Sequence, residues 1–166
     1  MISVRPAHHT DFDAVAGMMS GFMALHHRFE PDQFRPALLG FTEAIFQTWL
    51  AQKDELHIVG VADESVVGYT AAGRWPGQSS DFGYPRRGVF IYNLVVAPEA
   101  RRKGVGRALF AAVEAWAADF NAEYVGLNVN PANDTAKAFY EALGYTLASE
   151  YRSKTLRHVI RMSRKP

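Results

Sequence analysis

The six residues Arg101, Arg102, Lys103, Gly104, Val105 and Gly106 constrain this chain more than any other stretch, because they follow an apolar run at residues 90–96 and open an amphipathic one. A strand therefore ends there, turns, and becomes a helix whose first turn is glycine-rich and flanked by cations. Glycine lets the backbone come close to a ligand, and the N–H groups of a helix's first turn have no partner inside the helix. With the positive end of the helix dipole behind them they point toward anionic oxygen, so the stretch reads as a pyrophosphate site. Taken alone, the pattern fits a tight turn before a helix start equally well. Two other phosphate loops are excluded. The dinucleotide fingerprint needs a third glycine where Leu109 stands, and the Walker loop needs a Gly-Lys-Ser or Gly-Lys-Thr that is absent.

Arg101 stands three residues before Gly104, and Gly106 two residues after it. Farther along, beyond one intervening strand, comes Asn133-Asp134-Thr135-Ala136-Lys137-Ala138-Phe139-Tyr140-Glu141-Ala142-Leu143-Gly144-Tyr145. In this order and spacing the two segments resemble the cofactor motifs of the GNAT superfamily of N-acyltransferases, down to Val96-Ala97-Pro98 ahead of the first. The resemblance covers residues 89–145 and is weak before Leu56. It implies one α+β domain over residues 1–166, with a mixed, mostly antiparallel central sheet of about seven strands, two of them parallel and splayed, flanked by about four helices. It also implies acetyl-CoA as co-substrate and an amine-bearing acceptor, and it admits a homodimer.

Composition narrows the alternatives. With 166 residues, 48% of them hydrophobic and 21% charged, the chain has the size and make-up of one folded domain. The 18 basic and 17 acidic residues leave a net charge of +1, so no global field favours nucleic acid. Cations cluster at 101–103 with Arg107, which a small phosphorylated ligand explains, and at 157–165, which reads as a guarded strand edge and tail. The absence of cysteine excludes disulfides, zinc-thiolate sites and a cysteine nucleophile, and points to the cytoplasm. Polar residues within the first ten positions argue against a signal peptide or a membrane span.

Along the chain, residues 2–5 read as a strand, and Thr10 or Asp11 as the cap of a helix through Phe12, Val15, Met18, Met19, Phe22 and Leu25. A two-proline loop at 28–36 precedes a second helix over 37–52. Residues 56–62 and 66–75 suggest a hairpin, followed by a long loop at 76–87. The strand at 89–96 delivers the glycine turn, and helical spacing resumes through Val105, Leu109, Ala112, Val113, Trp116 and Phe120. A strand over 124–130 alternates Val125, Leu127 and Val129 with Gly126, Asn128 and Asn130. A last helix over 133–143 ends at Gly144, and strands near 145–149 and 155–162 would close the sheet.

By the resemblance, backbone groups at Leu94, Val95 and Val96 pair with the pantetheine arm between the splayed strands. An N–H there faces the thioester oxygen, a contribution on the order of 3 kcal/mol. Arg101, Arg102, Lys103, Gly104, Val105, Gly106 and Arg107 hold the pyrophosphate, with further cofactor contacts at Asn133, Ala136, Phe139 and Tyr140. Tyr140 matches the family's general acid, which protonates the departing thiolate.

The base is open. Relatives place a glutamate at the position of Tyr92 or of Asn128, and neither residue here can act as an ordinary base at neutral pH. Either Tyr92, Asn93 and Asn128 order a water chain, or the base is His26, His27 or His57. The acceptor site falls to the first two helices, the loop around 26–34 and the loop at 76–87, with Trp75, Phe82, Tyr84 and Tyr92 as aromatic walls. No feature separates an amino acid, an aminoglycoside, a peptide N-terminus or a lysine side chain as acceptor.

An acyl-enzyme lacks both a cysteine and a Gly-x-Ser-x-Gly elbow. A metal centre is not expected, because His8-His9 and His26-His27 are adjacent pairs that point about 100° apart on a helix. The missing carboxylates favour one rival from another class, a non-catalytic acyl-CoA-binding module.

Overall fold

Alternating apolar and small residues between Glu55 and Val96 build the centre of the molecule, seen in a computed structural model that describes residues 1–37, 39–77 and 83–154. The strands are β1 (Ile2–Pro6), β2 (Glu55–Ala62), β3 (Ser65–Trp75), β4 (Gly88–Val96) and β5 (Tyr124–Leu127). They lie in one sheet in sequence order, antiparallel except that β5 runs parallel to β4. The helices are α1 (Phe12–Phe29), α2 (Glu43–Leu50), α3 (Val105–Asp119) and α4 (Asp134–Glu141). Two compact units result, Met1–Asn133 and a second beginning at Asp134.

Five strands replace the expected seven among the described residues. The segment at 145–149 is not a strand: its Leu147 is 85% exposed, so no buried side chain anchors a ladder. The expected strand at 155–162 and the basic cluster at 157–165 lie outside the described residues. The second helix is shorter than expected because Gly40 adopts φ 77° and Thr42 then caps the helix, its Oγ1 accepting from the Ile45 N–H at 3.3 Å.

Within the first unit the helices cover both faces of the sheet. Val15 and Met19 of α1 and Phe46 of α2 pack on Val59, Tyr69, Ala71 and Val95, which share one face. On the other face the paired glycines Gly60 and Gly68 form a notch that Val105 fills; a Cβ at either would come within 2.8 or 2.7 Å of Val105 Cγ1. This contact fixes where α3 begins. Gly68→Ala is expected to cost about 1–3 kcal/mol through overpacking, and Val105→Ala in the same chain should return part of it. Urea unfolding of the three variants checks this, and purely additive losses would show that the notch does not seat the helix.

Candidate active site

Two features of β4 create an opening. Its pairing with β5 runs only from Gly88↔Tyr124 to Ile91↔Leu127, whereas its pairing with β3 continues to Val96↔Gly68. Past Ile91 the two parallel strands part, so Leu94, Val95 and Val96 present an edge with no strand against it among the described residues. Asn128 follows the last paired residue of β5. An edge of this kind is where an extended, amide-containing ligand can add itself as a strand.

The second feature is a bulge. Ile91 pairs with Ala72 and Asn93 with Ala71, which leaves Tyr92 as the extra residue. Asn93 repairs the ladder: its Oδ1 accepts from the Ala71 N–H at 3.2 Å, and its carbonyl accepts from Thr70 Oγ1 at 2.6 Å. The bulge turns the Tyr92 ring across Gly73, where any Cβ would collide with its hydroxyl.

Beyond Val96 the chain makes a turn of 3-10 helix at Pro98–Ala100, and the Ala97 N–H is tied to the Val67 carbonyl at 2.9 Å. Arg101 Nε donates to the Val96 carbonyl at 3.1 Å and so fastens the turn to the end of β4. Arg102 has φ 62° and Gly104 φ 94°, left-handed conformations that swing the chain into α3. No side chain caps that helix and its first turn carries no acidic residue. Arg101, Arg102, Lys103, Gly104 and Arg107 are exposed around the helix start, whereas Val105 is buried and Gly106 half-buried.

A cavity of about 380 Å³ lies on the α2 side of the bulge, lined by Trp49, Gln52, Glu55, His57, Ala71, Tyr92 and Asn93. Glu55 and His57 alternate onto the same face of β2. His57 bridges Glu55 Oε2, 3.0 Å from its Nε2, and the Tyr69 hydroxyl, 2.8 Å from its Nδ1. Burial pushes the His57 imidazole below the usual histidine range, although Glu55 pulls the other way, and burial drives the Tyr69 hydroxyl well above the tyrosine range. The proton positions follow. An ionised carboxylate only accepts, so the neutral ring carries its proton on Nε2 and donates to Glu55, while Tyr69 donates to Nδ1. Burial, then the charge of Glu55, also raises the Tyr92 hydroxyl.

The other histidines serve the loop after α1. His26 lies between Phe22 and Phe34, at centroid distances of 4.2 and 4.9 Å, and burial holds its ring below the usual range. His27 Nδ1 donates to the Phe34 carbonyl at 2.7 Å. Neither lines the cavity. Trp75 and Tyr84 are 51% and 95% exposed and do not line it either, and Phe82 lies outside the described residues. Glu55 was missed by the sequence reading. The signal was Glu55-Leu56-His57 at a strand start, a spacing that puts both side chains on one face.

In the second unit, α4 carries Ala136, Phe139 and Tyr140 at helical spacing. Its end is held by the Tyr145 and Gly144 N–H groups, which donate to the Tyr140 and Glu141 carbonyls at 3.0 and 2.9 Å, with Gly144 at φ 89°. The Tyr140 ring is half-buried beside Phe139 and Tyr145, and burial raises its hydroxyl above the ordinary tyrosine value. Asn133 ends the first unit with its N–H on the Asn130 carbonyl at 2.9 Å.

Residues 21–145, which include the parted parallel strands, the cationic glycine turn and the uncapped helix, match the model of the acetyltransferase (GNAT) family. The chain belongs to that family. A 60-residue stretch is 40% identical to the 5-NmdU N-acetyltransferase of Pseudomonas phage PaMx11, and this match spans 36% of the chain and 41% of the phage protein. Among solved structures, a point mutant of the BH1408 protein from Bacillus halodurans superposes with a TM-score of 0.87 at 24% identity, over 93% of this chain and 99% of that one. The aminoglycoside N-acetyltransferase AAC(6')-Iy, solved in complex with CoA, gives a TM-score of 0.69 at 18% identity over 95% of each chain. These two likenesses show the fold. Among the described residues no helix is long and apolar enough to cross a membrane, and no group of three metal-ligating side chains is assembled.

Proposed function

We propose that the chain acts as one acetyltransferase domain over residues 1–166, moving an acetyl group from acetyl-CoA directly to a primary amine while both are bound. The observation that carries this reading is the loss of β5 from β4 at Ile91, five residues before a turn into a helix start that no side chain caps. Backbone groups of Leu94, Val95 and Val96 bind the pantetheine amides, and one N–H there accepts the charge that develops on the thioester oxygen. The amides of Gly104, Val105 and Gly106, with Arg102, Lys103 and Arg107, take the pyrophosphate. Arg101 acts by holding the turn on Val96. Asn133 at the end of the first unit, and Ala136 and Phe139 of the second, are further cofactor contacts, and Tyr140 is the acid that protonates the thiolate.

The acceptor is an amine, in line with the N-acetyltransferase and aminoglycoside N-acetyltransferase named among the relatives. A chain without cysteine suits the reducing cytoplasm. Thiol release from acetyl-CoA, measured against a library of primary amines, tests the reading. At least one amine is expected to raise release well above hydrolysis, whereas tight acetyl-CoA binding without amine-dependent release would make the chain a binding module.

A further inference from the structure

Resting on that reading, we infer that the cavity beside the bulge is the acceptor site. Glu55 is the carboxylate that binds the acceptor ammonium and takes its proton, aimed by His57 and Tyr69. Of the seven lining residues described, Glu55 alone is a carboxylic acid, and Trp49 and Tyr92 supply apolar wall. Tyr92 and Asn93 also belong to β4 and directly precede Leu94, so two of the lining residues adjoin the strand edge proposed for the thioester. Glu55 brings a carboxylate from β2 to the cavity beside the bulge.

The two nitrogens of His57 are committed, one accepting from Tyr69 and the other donating to Glu55 Oε2, so His57 is a positioning residue. It fixes one carboxylate oxygen and leaves Oε1 for the ligand. Glu55 has 29% of its side-chain surface exposed against 4% for His57, which makes it the member of the pair that a ligand reaches. The proton balance is simple. The R–NH3⁺ group gives one proton to Glu55, which passes it to solvent; the freed amine attacks the thioester carbonyl; the second proton leaves nitrogen as the C–S bond breaks and ends on the CoA thiol.

A single carboxylate and two aromatic walls select a class of acceptor. About 380 Å³ lies at the small end of ligand pockets, and one fixed negative charge balances one ammonium. The acceptor is therefore a small amine with one positive charge and a flat apolar body.

Steady-state turnover of phenethylamine, tryptamine, spermidine and kanamycin, together with equilibrium binding of acetyl-CoA, tests this. Phenethylamine or tryptamine is expected to exceed spermidine and kanamycin at least about tenfold in kcat/KM, and a polyamine that does as well or better overturns the acceptor class. Glu55→Gln should lower kcat/KM about 30-fold, short of the usual loss for an acid or base because buffer can also take the proton, with acetyl-CoA affinity unchanged. Glu55→Asp should recover part of that loss. His57→Leu should lower kcat more than it raises KM, and His57→Gln, which keeps a donor facing Glu55, should restore most of the rate at equal melting temperature. Wild-type turnover in Glu55→Gln, or loss of acetyl-CoA binding there, overturns the assignment of Glu55 and leaves the acetyltransferase reading standing. Unchanged acetyl-CoA affinity in Gly104→Glu strikes at that reading itself.

Discussion

Acetyl-CoA binding is expected to fall at least about 100-fold, roughly 2.7 kcal/mol, when Gly104 is replaced by glutamate. Two things argue that this loss would come from the site and not from unfolding. A Cβ at Gly104 meets nothing closer than Ile2 Cδ1 at 3.7 Å, so the side chain has room. A carboxylate at a helix N-terminus is also favoured by the dipole, which offsets part of the strain of holding a non-glycine residue at φ 94°. The same attraction is the reason for the loss: the new carboxylate would occupy the amides that the pyrophosphate needs and repel its charge. Gly104→Asn is the control, since asparagine tolerates the left-handed conformation and adds no charge, and it should bind within about tenfold of the wild type. Titration calorimetry at two salt concentrations decides the matter. A folded Gly104→Glu protein with wild-type affinity would remove the helix start from the cofactor site.

What the sequence made legible was local chemistry repeated at several levels. The apolar run, the glycine turn and the amphipathic stretch after it agree with one another, and β4, the turn and α3 follow in that order, α3 over Val105–Asp119. Gly144 was legible for the same reason, because a helix ending in a left-handed residue leaves glycine as its mark. The end of β5 was not. Val129 and Asn130 continue the alternation of Val125 and Leu127, yet the strand stops at Leu127, because pairing depends on where the backbone of β4 goes and not on side-chain alternation. The bulge at Tyr92 has the same character. Asn93 reads in sequence as a polar residue able to order water, while in the fold its Oδ1 bonds to the Ala71 N–H.

Glu55 shows why the candidate site was only half legible. Its distance from Tyr92 in the chain is 37 positions, and the two meet because β2, β3 and β4 are neighbours in the sheet and Gly73 leaves space between them. Nothing periodic announces such a meeting. The residues proposed for the pantetheine arm and the pyrophosphate, in contrast, all lie between Leu94 and Arg107, so their motif survives as a motif. The cavity inferred to take the acceptor is assembled across α2, β2, β3 and β4, and only the fold collects it.

Loss of the Tyr140 hydroxyl is expected to lower turnover by roughly 10²- to 10³-fold with acetyl-CoA affinity nearly unchanged. Phenylalanine keeps the ring beside Phe139 and Tyr145, and the bonds that close α4 run through backbone groups, so packing and the helix end should survive Tyr140→Phe. Burial holds the hydroxyl above the ordinary value of 10.0, so it stays protonated across the working range. Protonated throughout that range, Tyr140 holds the proton that the proposed acid needs. On this account its own ionisation produces no fall in rate below pH 10, and Tyr140→Phe lowers the whole pH profile without moving its limbs. Turnover measured from pH 6 to pH 10, under conditions where the chemical step is rate-limiting, checks both points. Full activity in the variant would leave Tyr140 a packing residue of α4.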